Sequence, residues 1–213
     1  MSPVTHFLAG WLVTGGTSLR RREKALIVSA GLAPDLDGLG AVPELLTRNS
    51  SHPLAWFSLY HHSLHTLAFA LICATMAWLF AAAANFAFGP KIVGRPLPTH
   101  PWTTAFLAFL SFHLHLLGDL VGSRGPDGDQ WPLPYLAPFS NSGHLSWHGQ
   151  WALNAWPNFV IAALLLAATL WLASNYGSSP LELVSEKANR SFVAALRRRT
   201  GSFKRSGRLD PSA

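Results

Sequence analysis

A chain of 213 residues has room for one domain or one compact bundle. Hydrophobic residues make up 49% of it and charged residues 12%, against about 25% charged in a soluble domain, which excludes disorder and argues against a soluble globular fold. The net charge of +6 would suit nucleic acid only as a patch on a soluble body, and the single cysteine, Cys73, excludes an intramolecular disulfide or a thiolate zinc knot.

The chain opens on two weaker apolar segments. Pro3–Leu19 is interrupted by Gly10, Gly15 and Gly16, and Ala25–Leu39 carries Asp35 and Asp37 behind Pro34; each can span a bilayer or insert partly. Three stronger segments follow. Leu64–Phe88 and Ala155–Ser174 reach the ~20 apolar residues a bilayer core requires, and Trp102–Val121 is as long but holds His113, His115 and Asp119. The expectation is an all-α polytopic membrane bundle of about five membrane segments, three of them clear on length alone. Gly122–Asn154, rich in Pro, Gly, Ser and Trp, reads as an irregular loop packed on the membrane surface, with Trp131, Trp147, Trp151 and Trp156 as an aromatic belt. Beyond Ser178, Leu181, Val184, Ala188, Phe192 and Leu196 recur at helical spacing, which predicts an interfacial amphipathic helix and then a basic end. The chain thus divides into a membrane-embedded part, 1–177, and a cytoplasmic tail, 178–213, whose partner is anionic lipid rather than nucleic acid.

Charge asymmetry gives the orientation. With five crossings and a cytoplasmic C-terminus, fourteen of the sixteen basic residues fall inside, and only Arg48 and Arg124 fall outside. That is the positive-inside pattern of a multi-pass protein with its N-terminus outside. The same topology sends ionisable residues to one level. His6, Asp35, Asp37, His61, His62, His65, His115 and Asp119 all fall at the outer ends of their segments. Each costs roughly 2.5–3.5 kcal/mol at membrane depth, so their convergence marks a functional interior.

The spacings suit a metal. His115 and Asp119 are four apart on one helix face, as are His61 and His65, and imidazole with carboxylate is a zinc-type ligand set. His6, Asp35, His61, His65, His115 and Asp119 are the candidate ligands of a divalent ion. Asp37 is the candidate general base and His62 the candidate acid. A lone HxxxD is more often a helix ion pair, and His113 points about 200° away from His115. His52, His100, His144 and His148 have no helical partner, so surface or interfacial packing is their expected role. No P-loop, HExxH or GxSxG is present.

The order SPVTH, PDLDGL, YHHSLHT and HLHLLGDLVGSRGPDGDQWPLPYLAPFS resembles the LexA-regulated inner-membrane family of metal-dependent hydrolases of bacteria, over roughly Met1 to Asn158. The resemblance implies a small polytopic inner-membrane protein with zinc-type hydrolase chemistry at His6, Asp35, Asp37, His61 or His62, His65, His115 and Asp119. Many members of that family have a His-Arg pair and, at a longer interval, Thr-His; HHSLHT here is shorter and lacks the arginine. A site level with the headgroups predicts a phospholipid or lipid-linked phosphoester as substrate. The alternative expectation is a non-enzymatic metal-binding protein or transporter with a structural His/Asp cluster.

Overall fold

The computed structural model describes residues 1–55, 63–87, 100–125 and 128–200. It is all-helical, a bundle of a polytopic membrane protein, and the described residues form no strand beyond two isolated bridges, Arg124 with Ala152 and Leu133 with Leu145. The helices are α1 (Pro3–Val13), α2 (Arg21–Leu32), α3 (Ala41–Thr47), α4 (Leu67–Ala87), α5 (Pro101–Gly122), α6 (Trp156–Tyr176) and α7 (Glu186–Thr200). A 3-10 segment, Ala33–Gly40, joins α2 to α3, and another, Pro180–Leu183, precedes α7.

Local chemistry sets the ends of these helices. The Ser2 hydroxyl accepts from the Thr5 amide at 3.3 Å and Pro3 opens α1, while Pro101 opens α5. Gly177, at φ +74°, closes α6 in the left-handed conformation that glycine adopts without strain.

Four helical stretches are long and apolar enough to cross a membrane: Arg21–Thr47, Leu67–Ala84, Pro101–Gly122 and Trp156–Tyr176. The first predicted segment differs. α1 has 11 residues, so it rises only about 16 Å against a hydrocarbon core of about 30 Å, because Gly15 and Gly16 end the helix early. It packs along α2, α5 and α6.

The bundle has two polar ends. At one end Glu23 accepts the amides of Arg20 and His100 and the Thr104 hydroxyl, while Glu182 takes Lys24 Nζ at 2.9 Å and Trp11 Nε1 at 3.3 Å. At the other end lie His6, Asp35, His65, His115 and Asp119. α1, α2, α4, α5 and α6 alternate in direction between the two. Between the ends sits a dry core of Leu19, Ile27, Ala30, Ala77 and Ala108, with Ala70, Phe112, Leu116 and Leu133 nearer the histidines. Leu71, Leu79 and Phe80 on α4 and Phe159, Leu164 and Trp171 on α6 are exposed, an arrangement that suits lipid rather than water.

The apolar stripe read over 181–196 is not one helix. Ser185 breaks it and its Oγ accepts the Ala188 amide, so α7 starts afresh with Asn189 and Val193 as its buried face, and Val184 is left exposed. Asn189 bonds the Ser179 amide and hydroxyl and the Gly177 carbonyl, and Arg197 Nε donates to the Ser174 carbonyl. The first half of the predicted tail is therefore clamped to the bundle.

Candidate metal centre

α5 supplies two of the central side chains. His115 and Asp119 share a face, and His115 Nε2 lies 2.9 Å from Asp119 Oδ2 and 3.8 Å from Asp35 Oδ1. His115 Nδ1 stands 2.8 Å from the Gly31 carbonyl, which can only accept, so Nδ1 carries the proton and Nε2 presents its lone pair to the two carboxylates. A lone pair facing two buried carboxylates calls for a cation between them. His115 Nε2, Asp35 Oδ2 and Asp37 Oδ1 are also buried without a hydrogen bond among the described residues.

α1 delivers His6 over the same spot. Its ring stacks on His115 with centroids 3.7 Å apart and 24° between planes, and its Nε2 is 3.2 Å from Asp119 Oδ1. The stack is possible because residue 118 is glycine: a Cβ there would meet His6 Cε1 at 3.1 Å. His6, Asp35, His115 and Asp119 thus bring ligand atoms within 4.8 Å of one another, in a buried setting fit for a metal ion.

His65 flanks this group at the start of α4. Its Nε2 is 3.4 Å from Asp119 Oδ2 and its Nδ1 is 3.2 Å from Asp37 Oδ2, which also accepts the Leu64 amide. Its ring is thus held between two carboxylates, Asp37 on one nitrogen and Asp119 beside the other. Asp37 is one imidazole away from the centre, as a partner that orients His65. The predicted residues His61 and His62 lie outside the described residues.

The remaining histidines stay out of the cluster. His113, on the opposite face of α5, lies 2.8 Å from the Phe109 carbonyl through Nδ1 and 3.0 Å from Tyr135 Oη through Nε2. His52, His100, His144 and His148 are exposed.

Several residues that hold the site escaped sequence reasoning. Asp119 accepts from Ser123 Oγ at 2.7 Å and from the amine of Met1, and its backbone carbonyl accepts from Gln150 Nε2 at 3.0 Å. Gln150 belongs to the loop between α5 and α6, which folds back over this end of the bundle; Trp151 N donates to the Val121 carbonyl and Asn158 Nδ2 to that of Gly122. The loop expected on the membrane surface packs on the site. Only Ser123, four residues after Asp119, carried a readable spacing.

With this geometry established, comparison gives the family. The profile of the YdjM inner membrane proteins matches residues 1–195. The chain belongs to the YdjM inner membrane protein family. Every residue of the cluster lies inside the matched region, as do all five apolar segments and most of α7. No curated protein and no solved structure matches the chain.

Proposed function

We propose that this YdjM-family chain is a membrane-bound metal-dependent hydrolase, with a site facing outward from the inner membrane and a phospholipid or other lipid-linked phosphoester as substrate. The observation that carries the reading is the donor set: two imidazoles and two carboxylates from three different segments, within 4.8 Å, with the His115 Nε2 lone pair turned on carboxylates. Such a set fits a zinc-type ion, held by His6, Asp35, His115 and Asp119 with His65 beside them. A divalent ion bound there would supply Lewis-acid polarisation of a phosphoryl oxygen and lower the pKa of a bound water to about 7.

The chain's own groups then have distinct tasks. The Gly31 carbonyl fixes the tautomer of His115, and Ser123 and Gln150 fix Asp119 in place. Asp37 keeps Oδ2 on His65, while Oδ1, without a hydrogen bond among the described residues, would hold a water and take its proton as the oxygen joins phosphorus. The ester oxygen leaves with a proton, the role proposed for His62 from its place in HHSLHT. The loop over α5 and α6 limits water at the centre. The positive-inside pattern supports an N-terminus outside and a C-terminus in the cytoplasm, with the basic tail against anionic lipid.

The test is metal analysis of the purified protein together with phosphoester hydrolysis. His115→Ala and Asp119→Ala should each lower metal content and abolish turnover. His113→Ala should do neither, since its ring serves Phe109 and Tyr135. Asp37→Asn should keep the metal and lose turnover, because an amide cannot take the proton. Unchanged metal content in the His115 and Asp119 variants would remove the basis of the reading.

A further inference from the structure

A groove of about 420 Å³ opens beside Asp37, between the 3-10 segment with the start of α3 and the residues leading into α4. Its walls are Leu36, Leu39, Gly40, Pro43 and Leu64, and apart from Ser63 its polar wall residue is Asp37. The Asp37 side chain is 3% exposed, and its Oδ1 has no hydrogen-bond partner among the described residues. The groove therefore ends on the carboxylate that touches His65, one imidazole from Asp119.

The outer lip is equally distinctive. Leu36 and Leu39 are 54% and 61% exposed, and Val42, Leu45 and Leu46 continue the apolar surface along α3. In water this would be a liability; at the edge of a bilayer it is a continuous apolar path from lipid to Asp37. A volume of this size lies in the range of roughly 300–1,000 Å³ typical of small-ligand sites.

We propose that this groove receives one hydrocarbon chain of a bilayer lipid and so presents that lipid's phosphoester to Asp37 and the His/Asp centre. The proposal rests on the hydrolase reading for its consequence but not for the binding itself. A chain that moves from bilayer to groove exchanges one apolar surrounding for another, so the groove orients the lipid more than it attracts it. Orientation is the larger lever on rate: a misplacement of about 1 Å can cost on the order of a hundredfold. Lipid-borne esters should therefore be turned over in preference to chain-free esters, and the preference should reside in kcat.

Two variants probe it. Gly40→Leu places a side chain in the groove, and Leu39→Gln makes its exposed lip polar at a position where the fold has little at stake. Full-length protein would be reconstituted into vesicles of phosphatidylethanolamine and phosphatidylglycerol that contain phosphatidylglycerol with a diazirine at the end of one acyl chain. On illumination, crosslinks should fall on 36–43 and Leu64, and Gly40→Leu should reduce them at least fivefold. In parallel, turnover of phosphatidylglycerol should drop at least tenfold in both variants, with metal content and hydrolysis of bis(p-nitrophenyl) phosphate unchanged. Crosslinks spread evenly over the lipid-facing helices, or unaffected by Gly40→Leu, would overturn the proposal. So would lipid turnover that both variants leave intact, and that result would spare the hydrolase reading. Crosslinks in the groove without hydrolysis of any phosphoester would do the reverse, keeping the groove and removing the hydrolase.

Discussion

A tight contact between α2 and α5 lies directly beneath the candidate metal centre, and it can be perturbed by one methyl group. Gly31 on α2 faces Ser111 on α5, and a Cβ at position 31 would stand 2.3 Å from Ser111 Oγ, with the Ser111 carbonyl and Cβ at 3.4 and 3.5 Å. The last two are ordinary contacts, so the hydroxyl alone is the obstacle. Relieving it needs about 1 Å of helix separation, or a swing of Ser111 into another of the few rotamers a helix allows. Overpacking of this kind costs about 1–3 kcal/mol, partly offset by about 1 kcal/mol from the better helix propensity of alanine. Gly31→Ala should therefore destabilise by up to about 2 kcal/mol. Ser111→Ala should be close to neutral, since the buried hydroxyl has no partner among the described residues. The double variant should return to wild-type stability or slightly above, a coupling of about 1–3 kcal/mol. Thermal unfolding in detergent, followed by tryptophan fluorescence, measures all three. The same shift carries the Gly31 carbonyl away from His115 Nδ1, now 2.8 Å distant, and loss of such an orienting bond typically lowers metal affinity about 10–100-fold. Gly31→Ala with wild-type stability and undiminished metal affinity would refute the idea that this contact sets the spacing of α2 and α5.

Three other outcomes follow from the same geometry. Gln150→Ala should remove the bonds from its amide to the Asp119 carbonyl and from the Trp131 amide to its oxygen, destabilise by about 1 kcal/mol, and weaken metal binding; titration with zinc in detergent checks the second effect. His65→Ala should take away the imidazole that joins Asp37 to Asp119 and lower metal affinity about 10–100-fold, as zinc titration of the purified variant would show. Reporter fusions after residues 45, 95, 140 and 180 should read outside, inside, outside, inside; a cytoplasmic signal at 140 would contradict both the orientation and the outward-facing site.

The sequence made the helical spans and the central donors legible because both depend on short-range periodicity. Length and hydropathy mark α4, α5 and α6, and the four-residue step from His115 to Asp119 states their common face. The convergence of Asp35, His6 and His65 on that face followed from topology, since each lies at the same end of its own segment. What remained hidden depends on backbone and on long-range packing. Gly31 binds His115 through a carbonyl that any residue possesses; only the need for closeness to Ser111 selects glycine. Gln150 is 31 residues from Asp119 and lies in a loop with no period to read. The break at Ser185 escaped because a capping hydroxyl interrupts an apolar stripe without changing its spacing.

The choice between a one-sided reaction centre and an ion path turns on what lies between the two polar ends. Along α5 from Thr104, which bonds Glu23, to Ser111, just below His115, the intervening side chains are Ala, Phe, Leu, Ala, Phe and Leu over about 10 Å. Ile27 and Ala30 from α2 and Ala77 from α4 close the same level around Ala108, which is fully buried. An ion moving through this layer would leave every carboxylate and imidazole behind, since conducting routes in membranes keep polar partners along their length. The far end is closed as well, because Lys24 is paired with Glu182 and Glu23 is committed to His100 and Thr104. Among the described residues the polar groups thus form two separate ends with an apolar plug between them, and the groove at Asp37 lies one imidazole from the candidate donors. Replacing Ala108 with Asp would bridge the plug with a charge: destabilisation by several kcal/mol, without any gain of zinc or proton flux in vesicles, is the outcome a one-sided centre requires. Flux through the wild-type protein, measured with a fluorescent indicator enclosed in the vesicle, would show that the plug opens and would turn the assignment toward transport.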